Sequence, residues 1–208
     1  MLYSLVSFIE RAANTVLAPV RVAKDKIYDA FTYDEKTNAG DVDSRSTEIK
    51  EIQRMYPKNV IAEYVSFFGS PQEVYPRIFL GSSFNADLFY QLKDLNVKYI
   101  VNVSVEMSNC YPDHFTYYQI PIRDNNAESI RPYFQESFEK IESFLEKNDG
   151  NVFVHCYMGA SRSATIVANY ISRKTNDDIT TILVNLKKQR PVVNLTNQFV
   201  SDLRAENV

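Results

Sequence analysis

The chain has 208 residues, 45% of them apolar and 24% charged, which is the composition of an ordinary globular protein with room for one core and an appendage. A formal net charge of −3 argues against a general binder of nucleic acid or anionic membrane. Two cysteines, Cys110 and Cys156, are too few for a disulfide-built secreted fold, so a reducing compartment is expected.

In chain order, the first element is an apolar stripe at Leu2, Leu5, Val6, Ile9, Ala13, Val16, Leu17 and Val20, a helical spacing that Pro19 ends or kinks. Glu10 and Arg11 interrupt it, so it fits neither a signal-peptide core nor a bilayer span. Asp34 to Thr47 is polar and reads as a linker. The expected organisation is an extension over 1–56 and one domain over 57–208. Within that domain Pro76 to Gly81 reads as a short strand, and Ser83 as the cap of a helix reaching about Leu95. Strands are expected at Tyr99–Val103 and Tyr117–Ile122. Residues 132–147 have Phe134, Phe138, Ile141, Phe144 and Leu145 on one side of a helix. Asn151 to Val154 is a core strand, followed by helices over Ser163–Arg173 and Asp177–Lys188. Lys187, Lys188 and Arg190 read as cations that suit the last helix's dipole. Alternating strands and helices predict an α/β fold with a largely parallel central sheet flanked by helices. Ligands bind such sheets where strand carboxyl ends meet helix amino ends.

One such junction holds the run His155-Cys156-Tyr157-Met158-Gly159-Ala160-Ser161-Arg162-Ser163. A loop from Cys156 to Ser161 between a buried strand and a helix can curl its backbone N–H groups around an anion, with Gly159 supplying conformational freedom. The helix amino terminus adds donors and partial positive charge, which favours an anionic sulfur on Cys156. Arg162 offers a planar fork for two phosphate oxygens. Tyr157, Met158, Gly159, Ala160, Ser161 and Arg162 are therefore the expected phosphate-binding set, with Cys156 as nucleophile. Ser163 is placed to hydrogen-bond the sulfur, and His155 to order the loop rather than shuttle protons. The bland alternative is a structural cysteine before a helix with a surface arginine, but the nine-residue combination in this context is specific.

His-Cys-x-x-Gly-x-x-Arg-Ser followed by Ala-Thr-Ile-Val-Ala-Asn-Tyr resembles the dual-specificity branch of the protein tyrosine phosphatases, in its small atypical form. Arg77-Ile78-Phe79-Leu80-Gly81-Ser82 and Val101-Asn102-Val103 resemble the family's first two core strands. The likeness covers about residues 60–205, and its fold implies the phosphotyrosine phosphatase sheet. It puts a general acid on Asp124, within Ile120-Pro121-Ile122-Arg123-Asp124-Asn125, with Asp113 and Glu128 as the next candidates. Arg123 stands where relatives often have Glu, and reads as a solvated surface arginine. Leu195-Thr196-Asn197-Gln198-Phe199 replaces the usual Pro-Asn-x-Gly-Phe, keeping Phe199 and Leu203 for packing and leaving Thr196 or Asn197 to support the loop. Cys110, in a turn, reads as an ordinary cysteine rather than a partner for Cys156.

The resemblance implies hydrolysis of phosphotyrosine and phosphoserine or phosphothreonine through a phosphocysteine intermediate, without metal or cofactor. Alternatives are a phosphatase for phosphoinositides or RNA 5′-phosphates, which the neutral loop side chains disfavour, and a phosphate-binding pseudophosphatase. The expected partners are phosphoproteins, with no nucleic acid and no stable membrane association. The N-terminal stripe must be covered by its own domain or a second copy, and a homodimer through residues 1–30 is favoured. A soluble, cytoplasmic protein is expected, and nothing in the sequence argues against the nucleus.

Overall fold

The computed structural model describes residues 69–206. The N-terminal helix, the linker and the boundary at residue 56 lie outside the described residues. The order is β1 (Gln72–Tyr75), β2 (Ile78–Gly81), α1 (Ser83–Ala86), α2 (Phe89–Asp94), β3 (Val97–Asn102) and β4 (Thr116–Gln119). A 3₁₀ turn (Arg131–Tyr133) then leads into α3 (Phe134–Glu146), followed by β5 (Asn151–His155), α4 (Arg162–Thr175), α5 (Ile179–Gln189) and α6 (Asn197–Glu206).

The five strands form one sheet in the order β1-β2-β5-β3-β4, with only the β1–β2 pairing antiparallel. This is the expected α/β fold with a largely parallel sheet, made mixed by the one antiparallel edge strand. β1 was not foreseen: Gln-Glu-Val-Tyr buries only Val74 and carries little strand signal. The hairpin that adds it places Arg77 at φ +66°, a conformation disfavoured for residues with a Cβ. Its guanidinium holds the turn by donating to Leu145 O at 2.9 Å, to Asn148 Oδ1 at 3.1 Å and to Gly150 O.

Period-two alternation divides the core. Ile78, Leu80, Tyr99, Val101, Val152 and Val154 join one cluster with side chains of α3, α4, α5 and α6, including fully buried Phe134, Ile166, Phe199 and Leu203. Phe79, Ile100 and Phe153 project into a second cluster with Ala86, Leu92 and Phe115. Each fully buried side chain of this kind contributes about 1.5–3 kcal/mol. With both faces covered, the central strands read as continuous apolar runs, which is why they were legible.

Boundaries differ from expectation for local reasons. The cap of α1 is Ser82, not Ser83, through a capping box with Asn85. The helix expected to run to Leu95 is broken into α1 and α2 around Asp87 and Leu88. β4 stops at Gln119, and Ile122 N–H instead turns back to Ile120 O at 2.9 Å. Asp178, in extended backbone, caps α5 by accepting from Thr181 N–H at 3.1 Å.

Candidate active site

Register fixes where the loop begins. Gly81 of β2 and Asn102 of β3 both pair with His155, so three parallel strands end at one level. The chain leaves β5 there and re-enters regular structure at Arg162, the first residue of α4.

Between them, every carbonyl from Tyr157 to Ser161 is turned outward and held by protein. Tyr157 O accepts from Ser83 N–H at 3.0 Å and Ala160 O from Asn194 N–H at 3.0 Å. Met158 O and Gly159 O accept from Arg190 Nη2 and Nε, each at 2.8 Å. Ser161 O accepts from Thr165 N–H at 2.9 Å and Thr165 Oγ1 at 2.8 Å. In a planar trans peptide the N–H points opposite to the C=O. The N–H groups of Met158, Gly159, Ala160, Ser161 and Arg162 therefore face the loop's interior, and the α4 amino terminus adds its partial charge. Gly159 is required on two counts: its φ is +66°, and a Cβ there would lie 2.3 Å from Gly81 O.

The buried Cys156 sulfur accepts a hydrogen bond from Ser163 Oγ at 3.2 Å. His155 stacks on Phe153, and its Nδ1 lies 3.3 Å from Cys156 O, a contact that needs Nδ1 to carry the proton. Burial pushes its pKa down to about 4; the bond to Cys156 opposes this and Arg162 adds to it. His155 is thus neutral at physiological pH.

Asp124 comes to the loop from the segment after β4. Its Oδ1 accepts from Ser161 Oγ at 2.9 Å, and its Oδ2 lies 3.7 Å from Arg162 Nε. The fallback acids sit elsewhere: Asp113 is exposed in the turn before β4, while Glu128 accepts from Arg123 N–H at 3.0 Å and Asn125 Nδ2 at 3.2 Å. The Arg123 backbone bond leads the contacts that hold the Glu128 carboxyl below the usual range. Arg123 itself is exposed and pairs with Glu128 at 3.3 Å, so the cation facing Asp124 is Arg162.

Arg162 is almost wholly buried and makes a two-pronged bridge to Glu106, Nη2 to Oε1 at 2.6 Å and Nη1 to Oε2 at 2.8 Å. Burial opposes its charge, but the Glu106 hydrogen bond and the charges of Cys156, Glu106 and Asp124 outweigh it and raise its pKa. In return, Arg162 outweighs burial at Glu106 and holds that carboxyl below the usual range.

Glu106 and Arg190 were missed as site residues. Nothing local distinguishes Glu106 from any acid after a strand. Arg190 is not the helix-dipole complement expected alongside Lys187 and Lys188: the lysines are exposed, whereas Arg190 has no exposed surface and lies behind the loop. Its third contact is Nη1 to Gln72 Oε1 at 2.5 Å. Burial pulls its pKa down to about 10, against the opposing influence of Cys156, so it stays charged at neutral pH. Support from the Leu195–Phe199 segment comes through backbone, with Thr196 N–H reaching Ser161 Oγ at 3.4 Å. Cys110 is exposed and free, as is the buried Cys156 of a bond to any sulfur. Among the described residues, no group of three or more His, Cys, Asp or Glu is placed to hold a metal ion.

The structure thus brings together a buried cysteine, a nest of backbone amides, the Arg162 fork and Asp124 at the loop's edge. The sequence pattern of the dual specificity phosphatase catalytic domain matches residues 78–207. The chain belongs to that family. Mouse protein phosphatase Slingshot homolog 3 is 32% identical over 131 residues, 63% of this chain and 20% of its own length. Human dual specificity protein phosphatase 1 is 33% identical over 135 residues, 65% of this chain and 36% of its own. The chain thus spans roughly a fifth to a third of these curated relatives. Among solved structures, DUSP15 is 28% identical with a TM-score of 0.63, covering 66% of this chain and 87% of its own. Human DUSP28 is 26% identical with a TM-score of 0.62, covering 65% and 94%.

Proposed function

We propose that this dual specificity phosphatase family member hydrolyses phosphotyrosine and phosphoserine or phosphothreonine in proteins through a phosphocysteine intermediate. The observation that carries the reading is the outward turn of every carbonyl from Tyr157 to Ser161, which leaves an amide nest around buried Cys156. The Cys156 sulfur attacks phosphorus, the S–P bond forms, and the P–O bond to the side chain breaks. Asp124 gives its proton to the departing oxygen, which would otherwise leave as a poor alkoxide or phenoxide. Water then attacks phosphorus, Asp124 takes its proton, and the S–P bond breaks to release phosphate. The Ser163 hydroxyl, already bonded to the sulfur, stabilises the thiolate as it leaves. Arg162 and the amides of residues 158–162 hold the phosphoryl oxygens, and His155 orders the loop through Cys156 O.

We assign the catalytic domain to residues 57–208. The extension over 1–56 is read as a dimerisation segment working through residues 1–30, in a cytoplasmic protein. Light scattering should give a dimer for the full chain and an active monomer for a truncation beginning at Tyr56; a full-length monomer would remove the dimer. Among the described residues no helix is long and apolar enough to cross a membrane.

The chemistry is tested with Cys156→Ser. The wild type should turn over an aryl phosphate and both phosphotyrosine and phosphoserine peptides, and the variant should lose all three activities while still binding phosphate. Persisting turnover by the variant would refute the thiolate mechanism.

A further inference from the structure

Asp124 stands on a stretch that the core holds only at its ends. Ile122 and Ile130 are buried, and the Asp202 carboxylate accepts from Ile130 N–H at 2.8 Å and from Ser129 Oγ at 3.0 Å. Between the two isoleucines every residue is exposed except Asn125 and Glu128, which are half-buried. With no apolar side chain buried between these anchors, hydrophobic packing does not fix where Asp124 points. Polar bonds must do so.

Those bonds converge on Asn125 and Glu128, which bond to each other. The Asn125 amide oxygen accepts from Ala127 N–H at 2.9 Å and from Glu128 N–H at 2.8 Å. Its amide nitrogen donates to Glu128 Oε1 at 3.2 Å, and Glu128 Oε2 accepts from Arg123 N–H at 3.0 Å. The two oxygens of one carboxylate thus hold the chain on either side of Asp124. The Arg123 guanidinium also reaches Oε1, at 3.3 Å, but that side chain is exposed and such a pair contributes little. The Arg123 backbone bond leads the contacts that hold the Glu128 carboxyl below the usual range, so Glu128 is an ionised acceptor with no proton to lend.

We infer that Glu128 is a positioning residue for the general acid: its carboxylate clamps residues 123 and 125 and so sets the reach of Asp124 toward the leaving oxygen. This rests on the acid role proposed above for Asp124 and deepens it. Ser161 Oγ fixes one carboxylate oxygen of Asp124 at 2.9 Å, and Glu128 fixes the backbone that carries it. A surface glutamate that merely paired with the Arg123 side chain would touch nothing in catalysis. Arg123→Ala separates the two, since it removes the ion pair and keeps the backbone N–H.

The test compares leaving groups in the full chain. Glu128→Ala should lower kcat on a phosphoserine peptide about 10–100-fold, the scale of misplacing a catalytic group by about 1 Å. On an aryl phosphate with a good leaving group the loss should stay within about threefold, which also shows the fold and the amide nest intact. Glu128→Gln keeps one acceptor of two and should fall between. Arg123→Ala should match the wild type on both substrates. In an Asp124→Asn background, Glu128→Ala should cost nothing further on the peptide, because no acid remains to be misplaced. Equal loss on both substrates, or a loss that multiplies with that of Asp124→Asn, would overturn the clamp. So would an Arg123→Ala protein that reproduces Glu128→Ala, which puts the effect on the ion pair. If the loss in Asp124→Asn alone is independent of the leaving group, the acid reading falls and the clamp with it. A dependence present in Asp124→Asn and missing in Glu128→Ala removes the clamp alone.

Discussion

Arg190→Met replaces a buried cation with an apolar side chain of similar length, and its consequence can be worked from three contacts. Gly159 O and Met158 O lose donors at 2.8 Å, and Gln72 Oε1 loses its partner at 2.5 Å. Hydrogen bonds from charged donors are worth roughly 1.5–3 kcal/mol each, and the buried Gly159 O cannot recover its bond from water, while the part-buried Met158 O and Gln72 Oε1 recover theirs only in part. Removing the charge returns part of this, since burial already pulls the arginine pKa down to about 10. The net cost expected is about 2–4 kcal/mol, a fall in Tm of roughly 5–15 °C for a domain of this size. Activity should suffer more than stability alone explains. With its carbonyls released, the Met158–Gly159 segment can rotate its amides out of the nest, and a misplacement of about 1 Å in a catalytic group costs on the order of 100-fold. Circular dichroism melts and kcat/KM on an aryl phosphate measure the two effects side by side. A variant melting within about 2 °C of wild type, with kcat/KM within about threefold, would refute the view that Arg190 holds the loop from behind.

Asp124→Asn should lower the rate strongly on a phosphoserine peptide and less on an aryl phosphate with a good leaving group, because general acid catalysis contributes about 10²–10⁴-fold only where the leaving oxygen needs a proton. Equal loss on both substrates would move the acid role elsewhere. For His155, the folded pKa of about 4 lies below the ordinary 6.5, so its contribution to stability is full above pH 6.5 and is lost as pH falls toward 4. The slope from one such group is about 1.4 kcal/mol per pH unit, so urea unfolding of the wild type should lose stability faster than His155→Gln over this window. Parallel pH profiles for the two proteins would show that His155 is not held neutral.

Residue order alone reveals the Cys156–Arg162 loop and most of the framework. The loop is legible because its parts are local: nine contiguous residues carry Cys156, Gly159 at positive φ and the Arg162 fork. β2, β3 and β5 were legible because both their faces are buried, which leaves unbroken apolar runs such as Tyr-Ile-Val and Val-Phe-Val. Asp124 was singled out only through family resemblance, since no local feature marks it among the other acids. What the tertiary structure alone decided is how distant parts of the chain converge on the loop. Glu106 stands 56 residues before Arg162, and Arg190 stands 31 residues after Gly159. Neither has a spacing that periodicity can detect. Their positions follow from the order β2-β5-β3 and from strands ending flush at Gly81, His155 and Asn102, which sets the turn after β3 beside the α4 amino terminus. Helix-end chemistry favours Lys187, Lys188 and Arg190 alike. Burial separates them, because only an arginine can satisfy two successive carbonyls with one rigid fork.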